Sequence, residues 1–291
     1  MPSHTLDGDI YVAPLYLAGS ATIGDPALQP LLDHGFTVQS DELANVYAAS
    51  PDQRVRLGFL PEGPDDTLWK VAAHSDPFAP ANWLATFDAN TPTELVTAFT
   101  SALVTSHAED LEALLTGPRG PAEEGFRPLE DAGWKRGDWQ LTTLFTAPDG
   151  LAGLTYRGGV LNRRAELRDD QDRWLFWGGQ DGFSSRWYAT FTSAVPVDLI
   201  AATTARLADP APVLRYEVEV PERNRSAARI RPVSPPVPTP LDVRRAAAAR
   251  ARSHGVRFVG RAPAGSATTG SPSAVLPARP AHNRRVATAR S

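Results

Sequence analysis

The chain has no cysteine among its 291 residues. Disulfides, thiolate nucleophiles and cysteine-ligated metal centres are therefore excluded, while the redox compartment is left open. No stretch approaches the ~18 consecutive apolar residues of a membrane span. The N-terminal MPSHTLDGDIYVAPLYLAG lacks the basic start and long apolar core of a signal peptide. The expectation is a cytoplasmic protein with no membrane partner. Lysine is almost missing too: Lys70 and Lys135 are the only two, and every other basic residue is arginine or histidine. Together with abundant alanine and proline, this marks a GC-rich genome, so part of the arginine content is codon usage. Gly-x-Ser-x-Gly, P-loop, dinucleotide and His-Glu-x-x-His signatures do not occur. The six histidines (His4, His34, His74, His107, His254 and His282) have no zinc-ligand spacing. The sequence nominates no catalytic residue, no metal ligand and no cofactor.

Charge is present but unevenly placed. The formal net charge of -4 hides a basic tail on an acidic body. Fourteen arginines after residue 220 oppose only Glu222 and Asp242, a net of +12, which leaves -16 on residues 1–220. Such a tail attracts nucleic acid through its phosphates, whereas an acidic body repels them.

The most informative positive feature is a diverged internal duplication. In residues 30–52, Pro30, Leu31, Asp33, Gly35 and Phe36 fall on Pro128, Leu129, Asp131, Gly133 and Trp134, and the same alignment lays Tyr47 on Phe145. Further on, Trp83, Ala85, Thr86, Phe87, Pro92 and Leu95 fall on Trp187, Ala189, Thr190, Phe191, Pro196 and Leu199. Each copy reads as a short helix capped by Asp25 or its counterpart, then four β-type stretches, then a helix. The first-copy strands are near 43–49, 55–60, 68–73 and 82–87; the second-copy strands are near 141–147, 151–157, 173–178 and 186–192. Thr91-Pro92-Thr93-Glu94 has the residue types of a capping box before the closing helix. Further strands are expected at 9–17 and 213–220, with Pro221 ending the body. A single sheet with one helix covers only one face, so a lone copy is marginal and two copies must share a core. The expected fold is α+β: tandem β-β-β-β-α units with antiparallel sheets in a pseudo-twofold body, followed by a disordered Arg/Pro/Ala-rich tail. The two sheets either continue as one or pack face to face. The domain reading is 9–116 for the first repeat, 125–220 for the second, and 221–291 for the tail with a short helix at 242–253.

The order of these features resembles the SPDY-motif domain of unknown function, an actinobacterial family often found as tandem copies. Ser50-Pro51-Asp52 stands at the namesake turn, with Gln53 in place of the aromatic. Ala147-Pro148-Asp149-Gly150 is the second-copy equivalent. YVAPLYLAG (11–19), the Gly35-Phe36 pair and WLATFDANTP (83–92) complete the resemblance, which spans about 9–208. It implies an architecture and transfers no catalytic residue.

Several constellations have ordinary explanations. His74, before Asp76 at a strand end, reads as a turn histidine. Gly178-Gly179-Gln180-Asp181-Gly182 reads as a hairpin turn, because a strand and not a helix follows it. Asp169, Asp170 and Asp172 read as a solvated loop end. The aromatic pairs common to both copies (Trp69/Trp174, Trp83/Trp187, Phe36/Trp134, Phe59/Tyr156 and Phe87/Phe191) read as core. Trp139 and Trp177 lack aromatic counterparts and are the candidates for exposed aromatics. Arg244, Arg245, Arg250, Arg252 and Arg257 are the candidate nucleic-acid contacts.

The preferred functional expectation is a non-enzymatic binding protein, its body contacting a protein partner and its tail tethering it to DNA or RNA. A protein-interaction or regulatory module with an inert tail is the alternative, and an enzyme of unrecognised type the third. Duplicated β-β-β-β-α units also build Whirly- and Pur-type single-strand binders, an analogy of fold alone.

Overall fold

The computed structural model describes residues 8–21, 24–61, 67–117, 120–182 and 184–233, together with Leu241, Arg244, Arg245, Ala247 and Ala248. Residues 1–235 make one compact unit and 236–291 another.

The first unit opens with β1 (Asp9–Ala13) and α1 (Asp25–Asp33). Five strands follow: β2 (Thr37–Ser40), β3 (Val46–Ala49), β4 (Val55–Phe59), β5 (Thr67–His74) and β6 (Ala81–Asp88). Helices α2 (Thr93–Glu109) and α3 (Leu111–Thr116) close the first copy. The second copy repeats the plan with α4 (Ala122–Asp131), β7 (Lys135–Trp139), β8 (Thr142–Thr146), β9 (Ala152–Arg157), the short α5 (Arg163–Glu166), β10 (Trp174–Gly178), β11 (Trp187–Phe191) and α6 (Val197–Ala208). The chain then adds β12 (Val213–Tyr216), α7 (Glu222–Arg225) and β13 (Arg229–Pro232).

All ten strands of the two copies form one antiparallel sheet in the order β2-β3-β4-β5-β6-β11-β10-β9-β8-β7. Continuation, not face-to-face packing, is how the copies join. The joint is the β6–β11 pairing, in which Ala85, Thr86 and Phe87 face Phe191, Thr190 and Ala189. Thr86 and Thr190 are repeat equivalents, so the pseudo-twofold axis passes between them, and their hydroxyls lie 2.6 Å apart. Thr190 donates its one hydroxyl proton to Asp169 at 2.9 Å, so Thr86 donates to Thr190. Beyond the three pairs, side chains extend the ladder symmetrically. Thr192 Oγ1 accepts the Leu84 amide at 3.0 Å, and the equivalent Asp88 carboxylate accepts the Tyr188 amide at 2.7 Å.

The long helices pack on one face of this sheet. α1 packs on α2, α2 on α6 and α6 on α4, so the axis also runs between the equivalent α2 and α6. Under the joint, Phe87, Phe99, Phe191 and Phe176 form a buried aromatic cluster with ring centroids 5.0–5.6 Å apart. Trp83 and Trp187 are both fully buried, and each donates its indole N–H to a carbonyl, from Leu114 of α3 and from Tyr16 after β1 respectively. Tyr and Trp pack well inside only when the polar tip finds such a partner.

The structure revises several expectations. Each copy has five strands, not four; β2 and β7 were missed because every residue in them is exposed, so no apolar alternation marks them. Strand-forming regions at the ends are shorter than expected, with 3-10 turns at Leu15–Leu17 and Glu217–Glu219. Pro221 does not end the body: α7 and β13 follow, and β13 pairs with β1, which also pairs with β12. The first thirteen residues of the expected tail thus belong to the body, whose formal charge through residue 233 becomes -13. The capping reading also changes. Gly24, not Asp25, precedes α1, and Pro92 precedes α2. Thr91 instead donates to Asp88 and lies within reach of the Tyr188 carbonyl, while Glu94 is engaged elsewhere. Glu94 receives two hydrogen bonds of 2.6 Å from Arg215, whose side chain is 1% exposed. The repeat alignment also slips by one residue in the β2–β3 turn. Ala48, not Tyr47, is the equivalent of buried Phe145, because Tyr47 points to the opposite face. In a strand one residue of slip exchanges the two faces.

Two stability predictions follow from the joint and the buried pair. Glu94→Ala leaves a buried guanidinium unpaired and is expected to cost about 3 kcal/mol, measured by urea unfolding at pH 7. Burial pushes the Asp88 carboxyl up, and hydrogen bonds from Thr91, Tyr188 and Asn90 only partly oppose this, leaving it at about 6. With the folded value raised, the contribution is present below the ordinary 3.8 and lost as pH rises through about 6. Asp88→Thr, which copies Thr192, is expected to keep the fold and flatten stability across that window; an unchanged slope contradicts the assignment.

Candidate binding face

The face of the sheet opposite the helices has no second layer across most of its width. One register row crosses all ten strands on this face: Gln39, Tyr47, Gly58, Lys70, Thr86, Thr190, Leu175, Thr155, Leu144 and Gly137. Period-2 alternation then assigns the neighbouring residues. The first copy adds Thr37, Ala49, Arg56, Ala72, His74 and Leu84, and the second adds Lys135, Trp139, Thr146, Gly153, Arg157, Trp177 and Tyr188. Both lysines of the chain are therefore on this face. The strand positions of the face carry Arg56, Lys70, His74, Lys135 and Arg157, and their carboxylate is Asp88 at the joint. Carboxylates from the loops also reach the face, Asp169 at Thr190 and Asp172 at Arg157, both in the second copy and at the joint.

In the first copy the face is recessed into a cradle of about 400 Å³ lined by Thr37, Gln39, Tyr47, Arg56, Lys70 and His74. Its floor is made of the small residues Ala49, Gly58 and Ala72. Tyr47 is 45% exposed, and its hydroxyl donates to Asp41 at 3.3 Å, which orients the ring. The Arg56 guanidinium is held by the neutral carbonyls of Gln53 and Pro77 at 3.1 and 2.7 Å. His74 Nδ1 donates to the Ala79 carbonyl at 2.9 Å, which fixes its tautomer.

The second copy is filled where the first is hollow. Trp177 stands opposite Gly153, and a Cβ on Gly153 would come within 2.5 Å of the indole. The Arg186 guanidinium covers Trp177 at 4.5 Å from the ring centroid and lies 5.8 Å from that of Tyr188. Arg186 also pairs with Asp181, and its Nε is buried without a partner. Of the two aromatics singled out from sequence, Trp139 on edge strand β7 is 75% exposed, whereas Trp177 is half-buried under Arg186. The segment between β9 and β10 lies against the joint: Asp169 holds Thr190, Asp172 pairs with Arg157 at 3.6 Å, and buried Glu166 accepts the Ser193 amide and hydroxyl.

The turn motifs lie off this face and are structural. Ser50 is fully buried; its hydroxyl donates to Asp52 at 2.5 Å and accepts the Val55 amide at 3.0 Å. Pro51 occupies the turn position its fixed φ suits. Asp52 also accepts the Arg54 amide and guanidinium, and Arg54 reaches Glu112 at 2.7 Å. Gln53 adopts φ +63°, and its counterpart Gly150 φ +76°. In the second copy Pro148 repeats the turn, and Asp149 accepts the Leu151 amide and the Tyr16 hydroxyl. The motif therefore shapes a hairpin and ties it to α3 in one copy and to the β1 segment in the other.

Of the candidate tail arginines, Arg244 and Arg245 are helical and exposed; Arg250, Arg252 and Arg257 lie outside the described residues, as does most of the expected 242–253 helix. Among the described residues no group of three or more His, Asp or Glu is placed to hold a metal ion, and no helix is long and apolar enough to cross a membrane.

Comparison with known families matches residues 49–108 and 146–213 to the SPDY domain, a domain of unknown function (DUF317). The two matched segments are consistent with two tandem copies of that domain. Each match begins at the Ser-Pro-Asp turn or its counterpart and takes in three strands and the long helix, β4–β5–β6–α2 and β9–β10–β11–α6. The outer hairpins, α1 and α4 lie outside these segments, so the cradle combines family-matched strands with β2 and most of β3. No curated protein and no solved structure matches the chain.

Burial pushes the Asp52 carboxyl up, but hydrogen bonds from Ser50 and Arg54 and the Arg54 charge outweigh it and hold it at about 2. Because the folded value is lowered, its contribution is present at neutral pH and lost as pH falls from 3.8 through about 2. Asp52→Asn is expected to cost about 1–2 kcal/mol at pH 7 and progressively less as pH falls from 3.8 toward 2, as read by thermal unfolding across that range.

Proposed function

We propose that the protein is a non-enzymatic nucleic-acid-associated binding protein. The uncovered sheet face engages the ligand, and the C-terminal arginines supply sequence-independent attraction. The observation that carries this reading is the placement of the cations: an acidic body presents Arg56 and Lys70 around Tyr47 in one recess of the sheet face opposite the long helices. Cationic grooves with interleaved aromatics bind single strands through phosphate attraction and base stacking. The arginines beyond residue 233, ten against the single Asp242, add a polycation to the same chain.

The test is fluorescence anisotropy of labelled single- and double-stranded DNA with the full chain across a salt series. The comparison is a variant with Arg244, Arg245, Arg250, Arg252 and Arg257 replaced by glutamine. The expected result is binding by the wild type with a log-log salt slope steeper than about -3, and weaker, less salt-dependent binding by the variant. Absence of binding by the wild type at low salt contradicts the reading and turns the search to protein partners of the same face.

A further inference from the structure

Duplication gave this sheet two equivalent half-faces, and only one remains hollow. The row symmetry about Thr86 and Thr190 matches each cradle residue to its counterpart. Floor residues Ala49, Gly58 and Ala72 correspond to Thr146, Thr155 and Trp177; Lys70 corresponds to Leu175 and Tyr47 to Leu144. The decisive exchange is a cross-strand pair. The first copy has Arg56 opposite Ala72, whereas the second has Gly153 opposite Trp177. With tryptophan across glycine, the indole lies down on the sheet and Arg186 closes over it. With alanine across arginine, the floor stays open and a guanidinium stands at its rim. The cations differ in the same sense. Arg157 of the second copy is paired with Asp172, while Arg56 of the first is held by uncharged carbonyls.

We infer that the first copy alone forms a ligand subsite, which takes one unpaired nucleotide of a single-stranded nucleic acid. This rests on the nucleic-acid reading above and locates its specific contact. The base enters the cradle against the Tyr47 ring, already oriented by Asp41, and its flanking phosphates face Lys70 and Arg56. A recess of about 400 Å³ is of the size that encloses a small ligand. A base stacked and paired in a duplex cannot enter it, whereas a splayed base can. The second half-face serves as scaffold, its platform occupied by its own Trp177 and Arg186.

The experiment measures binding of the full chain to a labelled twelve-nucleotide oligo(dT) and to a duplex hairpin, with four variants: Ala72→Trp, Lys70→Gln, Tyr47→Ala and, as control, Val218→Ala, an exposed position outside the ten-stranded sheet. Ala72→Trp installs the second copy's plug in the first. The expected result is that the three cradle variants each weaken oligo(dT) binding about tenfold, leave duplex binding unchanged and keep the wild-type circular dichroism spectrum, while Val218→Ala binds oligo(dT) as the wild type does. If Ala72→Trp misfolds, Lys70→Gln and Tyr47→Ala carry the test. Wild-type oligo(dT) binding by folded cradle variants, with loss in the glutamine-substituted tail, overturns the subsite and leaves the broader reading intact. Failure of the wild type to bind either probe overturns both.

Discussion

The β6–β11 pairing is the constraint from which the rest of the architecture follows. Taken singly, each copy would end in a central strand with an unpaired edge and a large aromatic, Phe87 or Phe191, beside it. Pairing the two equivalent edges removes both at once and lets those aromatics meet under the sheet with Phe99 and Phe176. It also sets α2 against α6, where Ser106 donates to Asp198. Only the outermost strands remain as edges. β7 carries Lys135, Arg136 and Asp138, and β2 is four residues long and fully exposed. Short or charged edges of this kind resist further strand addition.

The chain termini of the body reinforce this joint. β1 lies between β12 and β13, so the first strand and the last two form a small sheet of their own. From it, Tyr16 reaches Asp149 and Trp187 of the second copy, while Arg215 reaches Glu94 of the first. An unpaired guanidinium at that depth would be strongly unfavourable, and its double hydrogen bond to Glu94 with the Gly19 carbonyl nearby satisfies it. The two copies are thus linked by strand pairing at the centre and by a clasp at one end.

Much of this was legible in the sequence, for physical reasons that also explain the omissions. The duplication, the strands from β3 to β6 and β8 to β11, and the buried aromatic pairs were readable because core residues keep their chemistry at equivalent positions. β2 and β7 were not, since strands with no buried residue carry no alternation. The one-residue difference between the β2–β3 and β7–β8 turns misplaced Tyr47, and with it the face on which the cradle stands. Trp139 and Trp177 stood out as unmatched aromatics. The informative signal, however, was reciprocal: Trp177 with Gly153 in one copy against Ala72 with Arg56 in the other, a pairing visible only once register is known. Net charge was uninformative, because summing over the body hides the grouping of Arg56 and Lys70 in one recess of an acidic molecule.

The most direct test of the shared sheet is amide hydrogen exchange at Leu84 and Tyr188, followed by NMR on the full chain. Their N–H groups are held across the joint by the side chains of Thr192 and Asp88, outside the three backbone pairs. The account predicts that both exchange only with global unfolding of the body, in the same slow class as the central amides of β5 and β10. Exchange of either at loop-like rates, with β5 and β10 still protected, would contradict a sheet continuous through the Thr86–Thr190 axis.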